Sequence, residues 1–303
     1  MKIDASDVVV HGRFWRFVQF PLTRIIIATV ALAVTVLLLQ WIAAVTQFKP
    51  HSIIDGALAT VVTIAALIAM YVAYLGLVER RPASEFGMRR SAPEFAAGFL
   101  LGGGLFCLIM LILWLAGVAR IESGAGWSAL WLLLFGALEL GVLQTLFFYG
   151  IVFRIAEQSL GTWTALAITI VAFGVAHTGG PGATPISIAT IGLQAGSLFA
   201  AVYVYTRRLW MPIGLFTAWN FVEDGVFGVS ASGHTEQGVL VSRFHGPSIL
   251  SGGAAGPEVT IVAFSVCVMA AVVLFLLAIR RRHIVGPFRR ERAGIDEAAV
   301  AAS

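Results

Sequence analysis

Four ionisable side chains lie inside long apolar runs of this sequence: Glu139, His177, Glu223 and Asp224. Five neutral polar residues share those runs, Gln144, Thr145, Tyr149, Gln194 and Asn220. Burying a charge or an unpaired polar group costs free energy, so each is a candidate functional position. The chemistry they offer is specific. A carboxylate beside a neighbour in a low-dielectric cavity can hold a raised pKa and act as general base, an imidazole can bind water or a metal, and an amide can donate to an oxyanion. Cys107 and Cys267 also sit in apolar runs, where packing is the expected role, and they suggest neither a disulfide framework nor a thiolate metal cluster.

The elements that hold these residues are set by composition. The chain has 303 residues, 59% hydrophobic and 12% charged, with a mean hydropathy of +0.91. That excludes a soluble enzyme, a disordered tail and a collagen-like chain. Uncharged runs of about twenty residues match a hydrocarbon core of roughly 30 Å. Eight spans are expected, at about 25–47, 57–78, 96–119, 128–153, 160–178, 186–206, 209–229 and 259–279. The first is too long for a cleavable signal and is expected to remain as a helix. With eight spans, 17 of the Lys and Arg residues fall on one side and three, Lys49, Arg120 and Arg243, on the other. The positive-inside bias then puts both termini in the cytoplasm. The basic balance, pI about 9.4, therefore reports orientation and points to the lipid bilayer as partner rather than to nucleic acid. The expected organisation is a cytoplasmic segment 1–24, a transmembrane bundle 25–279 and a basic cytoplasmic tail 280–303. The stretch Ser230 to Glu258, with His234 and His245, reads as an extracytoplasmic loop, partly re-entrant. No tandem or inverted repeat is visible. Usage of 18 Arg against 2 Lys suggests a GC-rich bacterial genome, hence a multi-pass protein of a bacterial inner membrane.

Spacing brings several polar residues together. If spans four and five form a hairpin near Leu160 and Gly161, residues 144 and 177 lie 16 or 17 positions on either side of the turn. At about 1.5 Å per residue they reach one height. Phe216 and Asn220 are four apart and share a face of span seven. Glu139 precedes Gln144 by five positions, some 140° off its face, whereas Glu223 and Asp224 follow Asn220 by three and four on roughly its face. The hairpin puts the cluster about 24 Å from its turn, yet Phe216 is only about 12 Å past Arg208. Spans four and five are therefore expected to protrude into the cytoplasm through Arg154, Glu157 and Gln158.

These stretches carry a family resemblance. Gln144-Thr145-Leu146-Phe147-Phe148-Tyr149-Gly150 resembles the E-E-x-x-x-R-G motif of the CAAX-prenyl endopeptidase and bacteriocin-processing (CPBP, or Abi) family of intramembrane proteases. Phe173-Gly174-Val175-Ala176-His177 matches its F-x-x-x-H, and the run from Leu209 to Asn220 is similar to its L-W-x-P-I-x-L-H-x-x-x-N. The resemblance covers roughly residues 75 to 260. It implies an all-α bundle of about eight spans in which a glutamate pair, two histidines and an asparagine hydrolyse peptides within the membrane, with zinc or another divalent metal as the family-like cofactor and a membrane protein or lipidated peptide as substrate or partner. Of that set, His177 and Asn220 are retained. Gln144 and Thr145 replace the glutamates, Tyr149 the arginine and Phe216 a histidine.

The replacements shape the expected function. A glutamine has no proton-accepting carboxylate, a threonine hydroxyl is a weak base, and a phenylalanine offers no lone pair. The primary expectation is a catalytically impaired homologue acting as a membrane scaffold or substrate-binding protein. An active endopeptidase with an altered site, drawing on Glu223, Asp224 or Glu139 as substitute acids, is the alternative. A transporter-like protein with Glu139 and Glu223 as proton or substrate groups is the third reading.

Overall fold

The computed structural model describes residues 13–124, 126, 127, 130–180, 182–229 and 238–287. It is an all-α bundle whose main helices are α1 (Pro21–Val45), α2 (Ile53–Glu79), α3 (Ser91–Leu115), α4 (Leu130–Leu160), α5 (Thr162–Ala176), α6 (Pro185–Thr206), α7 (Trp210–Asn220, extended by the π-helical Phe221–Val226) and α8 (Ile261–Arg280). Their starts are written in the sequence. Ser52 accepts from the Asp55 amide at α2, Thr260 from the Ala263 amide at α8, and Thr184 and Ser187 cap α6 reciprocally ahead of Pro185. Each such cap stabilises by about 0.5–2 kcal/mol.

Six of these helices are long and apolar enough to cross a membrane, and the chain is a multi-pass membrane protein. The eight spans expected from the sequence resolve into six long helices and two shorter ones. At 15 residues, α5 reaches about 22 Å, and α7 with its extension is similarly short. The fourth run does not stop at residue 153 but continues helical to Leu160. Large apolar side chains such as Leu22, Ile26, Val30, Val34 and Leu37 on α1 face outward, as a lipid-covered surface requires.

Glycines set the closest crossings. A Cβ at Gly98 on α3 would sit 2.0 Å from the Met211 carbonyl oxygen, and one at Gly214 on α7 would sit 2.1 Å from that of Phe95. These two helices therefore meet backbone to backbone, as small residues allow in membranes. Of the Gly102–Gly104 run, only Gly102 makes a backbone contact of this kind, against Leu215. Gly192 on α6 similarly lies against Ile170 and Gly174 on α5.

The two ends of the bundle differ. At one, Glu79 is ion-paired with Arg24, Arg81 and Arg154 at 2.7–2.8 Å, Glu85 with Arg81 at 2.6 Å, Glu157 with Arg207 at 2.5 Å and Glu94 with Arg208 at 2.7 Å. Burial works against the charge of Arg81, but its bonds to Glu85 and Glu79 outweigh that and raise its pKa. Arg154 and Glu157 are buried by protein at the α4–α5 turn, whereas Gln158 and Leu160 there are exposed. The segment after α8 packs against that turn: Val285 exchanges hydrogen bonds with Thr162 at 2.9 and 3.0 Å, and Arg281 lies over the Tyr205 ring. Gly161 makes that turn with φ +82, and a Cβ there would press on Val285 and Pro287. The tail as far as Pro287 thus lies along the surface of the bundle, docked through Val285 and Arg281, and Arg289, Arg290 and Arg292 lie outside the described residues.

At the other end, β1 (Ala119–Ser123) and β2 (Leu240–Phe244) pair antiparallel, with Ala119 opposite Phe244 and Ser123 opposite Leu240. This ribbon was not expected, since Ala119 was placed in the third span and residues 240–244 in a loop. It puts the α3–α4 and α7–α8 connections on one side, away from the ion-paired arginines of the other end, and sets Arg120 opposite Arg243. His234 lies outside the described residues.

Candidate functional site

Below the ribbon end, the bundle holds a partly open cavity of about 40 Å³, room for roughly one water molecule. Gln144 from α4, His177 from the end of α5, Gln194 from α6, Phe216, Trp219 and Asn220 from α7, and Glu258 from the turn before α8 line it. Helix distortion accompanies the polar residues. Three π-helical stretches, Leu146–Phe153, Gly192–Gly196 and Phe221–Val226, follow Gln144, contain Gln194 and follow Asn220. Such bulges recur at functional positions because they re-aim side chains and loosen the backbone ladder.

The residues with retained family identity are engaged with backbone. His177 Nδ1 lies 2.7 Å from the Phe173 carbonyl oxygen, so in the neutral ring this nitrogen carries the proton and Nε2 keeps the lone pair. Asn220 Nδ2 donates to the Phe216 carbonyl at 2.8 Å. Phe216 is stacked on Phe199 with ring centroids 3.6 Å apart, and Phe173 stacks on both Phe216 and His177. An aromatic wall thus closes the side where the resemblance implies a histidine.

Other expected site residues lie elsewhere. Thr145 is fully buried and does not line the cavity. It follows Gly141 by one turn, on the face packed against Thr217 of α7, and neighbouring helix positions point about 100° apart. Tyr149 is also fully buried, its ring 6.2 Å from that of Phe216 and its hydroxyl without a hydrogen-bond partner. Glu139 is remote from this cavity and accepts from the Thr60 hydroxyl at 2.7 Å. Asp224 does not line the cavity, and Glu223 is buried just behind it.

Glu258 is the functional candidate that sequence reasoning missed. Its carboxylate accepts from Trp219 Nε1 at 2.5 Å, its carbonyl accepts from Gln194 Nε2, and its side chain neighbours that of Glu223. A signal was present: Glu258 is the lone acid in a Gly-rich stretch directly ahead of an apolar run.

The donor set does not fit a divalent metal. Phe216 has no lone pair, Gln144 has no carboxylate, and among the described residues no three His, Cys, Asp or Glu side chains are grouped to hold an ion.

Residues 125–222, about a third of the chain, match the model of the family described as type II CAAX prenyl endopeptidase Rce1-like. This segment is similar to an Rce1-like domain. It runs from the connection before α4 through Asn220, so it contains every lining residue of the cavity except Glu258. Comparison with curated proteins and with solved structures gave no match.

Proposed function

We propose that this Rce1-like membrane protein has lost the family's peptide hydrolysis and serves as a membrane scaffold or substrate-binding protein for membrane proteins or lipidated peptides. The observation that carries this reading is the stack of Phe216 on Phe199, which leaves a cavity of about 40 Å³. A scissile amide, its attacking water and a base need far more room. The cavity position facing His177 is the amide Gln144, and loss of a general base alone removes about two to four orders of magnitude in rate. The ion-paired end is assigned to the cytoplasm on the positive-inside bias, which turns the cavity toward the extracytoplasmic half.

The test is cleavage by the purified protein in detergent of a panel of prenylated and transmembrane peptides, with photo-crosslinking of the same peptides as the binding readout. The expected result is crosslinking without cleavage above the His177→Ala background. Cleavage that disappears in His177→Ala would overturn the reading.

A second reading, hydrolysis through relocated acids, is favoured by the Glu223–Glu258 contact at the cavity wall. A carboxyl pair sharing one proton holds an acid and a base in one place. Under this reading the native chain cleaves and Glu258→Gln does not.

A further inference from the structure

Glu139 is an intramembrane acid that the cavity does not use, and it has a pocket of its own. It lies nine residues into α4, about 14 Å from that helix end, so its carboxyl sits well inside a hydrocarbon core of roughly 30 Å. Thr60 donates to one of its oxygens at 2.7 Å. Together with Gln40 and Thr63 it lines a pocket of about 370 Å³ between α1, α2 and α4, whose walls include Val36, Leu39, Leu140 and Leu143. Apolar walls with a few convergent polar groups, at this volume, are the ordinary make-up of a small-molecule site.

The charge selects the occupant. A carboxylate in apolar surroundings is stabilised by a cation brought to it, and an ion pair formed there is screened little by salt. The depth rules out a lipid ammonium group held at the surface. The volume rules out a helix from another protein, since two turns of one occupy on the order of 1,000 Å³. We propose that this pocket binds a small lipophilic amine, its ammonium paired with Glu139 and hydrogen-bonded to Gln40 or Thr63, its apolar body along the leucine wall. This site is separate from the Gln144–Glu258 cavity and does not depend on whether that cavity is active.

The experiment uses the full chain in phosphatidylcholine nanodiscs, with radiolabelled dodecylamine and dodecanol as probes and protein-free nanodiscs as background. Saturable amine binding at least about tenfold tighter than alcohol binding is expected. Glu139→Gln should remove that preference. Gly136→Leu should abolish binding while leaving the carboxyl intact, because a Cβ at Gly136 meets no atom within 4 Å and the larger side chain fills the pocket without disturbing the fold. Thermal melts establish that both variants are folded. Equal binding of amine and alcohol by the native chain, or an amine preference that survives in either variant, would overturn the proposal.

Discussion

The ion-paired end and the cavity each concentrate polar groups inside an apolar bundle, but they satisfy them differently. Around Glu79, three arginines converge at 2.7–2.8 Å, Arg154 also donates to the Gly150 carbonyl at 2.7 Å, and Tyr71 bridges that carbonyl to Glu85. Arg24 Nε is the buried atom left without a partner there, whereas near the cavity the Thr145 hydroxyl, Tyr149 hydroxyl, Gln194 Oε1 and Glu223 Oε1 all have none. Buried polar groups are normally satisfied, and exceptions ask for an explanation. The ion-paired end is built for holding five chain segments together. The cavity keeps polar residues without partners beside Phe216 and the neutral Gln144, which fits the loss of hydrolysis proposed above.

The comparison breaks most sharply at Arg154. Arg154→Ala leaves Glu79 and Glu85 buried with fewer cations and removes one of the two donors to the Gly150 carbonyl, and removing one member of a buried ion network costs about 3–5 kcal/mol. Thermal unfolding in detergent should show a loss larger than that of any conservative substitution in the cavity. A loss below about 1 kcal/mol, the range of exposed pairs, would mean that the network contributes little to the fold.

Much of this architecture was legible in the sequence, and the limits have physical causes. Helical rise placed residues 144 and 177 at one height, and a spacing of four placed Phe216 with Asn220. All four line the cavity. Periodicity could not reveal that Thr145 faces α7, because that depends on which side Gly141 presents to its neighbour. Nor could it show Arg154 and Glu157 as buried, since polar residues at the end of an apolar run normally mean a helix leaving the membrane. Only tertiary pairing satisfies them. The five-residue strands lack the clean alternation of a half-buried sheet, Arg120 and Glu122 flanking Ile121 on β1 but Arg243 lying beside Ser242 on β2. Glu258 reaches the cavity only because the chain between β2 and α8 folds back over it.

Within the cavity, the largest conservative effect is expected at Trp219. Trp219→Phe keeps an aromatic ring against Phe106, its neighbour at 5.2 Å, but removes the donor to Glu258. A hydrogen bond to a carboxyl group in a buried site is worth about 1.5–3 kcal/mol. The melting temperature should fall, though by less than for Arg154→Ala. The same substitution with Glu258→Gln should cost less than the sum of the two single losses, since both act on one bond. Simple additivity would show that Trp219 and Glu258 are not coupled.

The smallest effect should carry the opposite sign, and sign makes it the sharpest discriminator between the two regions. The Thr145 side chain is fully buried and its hydroxyl has no hydrogen-bond partner. Valine has the same branched shape, so Thr145→Val keeps the packing against α7 while removing a desolvated hydroxyl. Replacing an unsatisfied buried group by an apolar one of like shape is neutral or stabilising, by up to about 1 kcal/mol here. Thermal unfolding should therefore show an unchanged or slightly higher melting temperature, with peptide crosslinking unaltered. A drop of more than about 1 kcal/mol, the net worth of an ordinary hydrogen bond, would mean that the Thr145 hydroxyl is satisfied in the membrane, and that the cavity region is as fully paired as the ionic end.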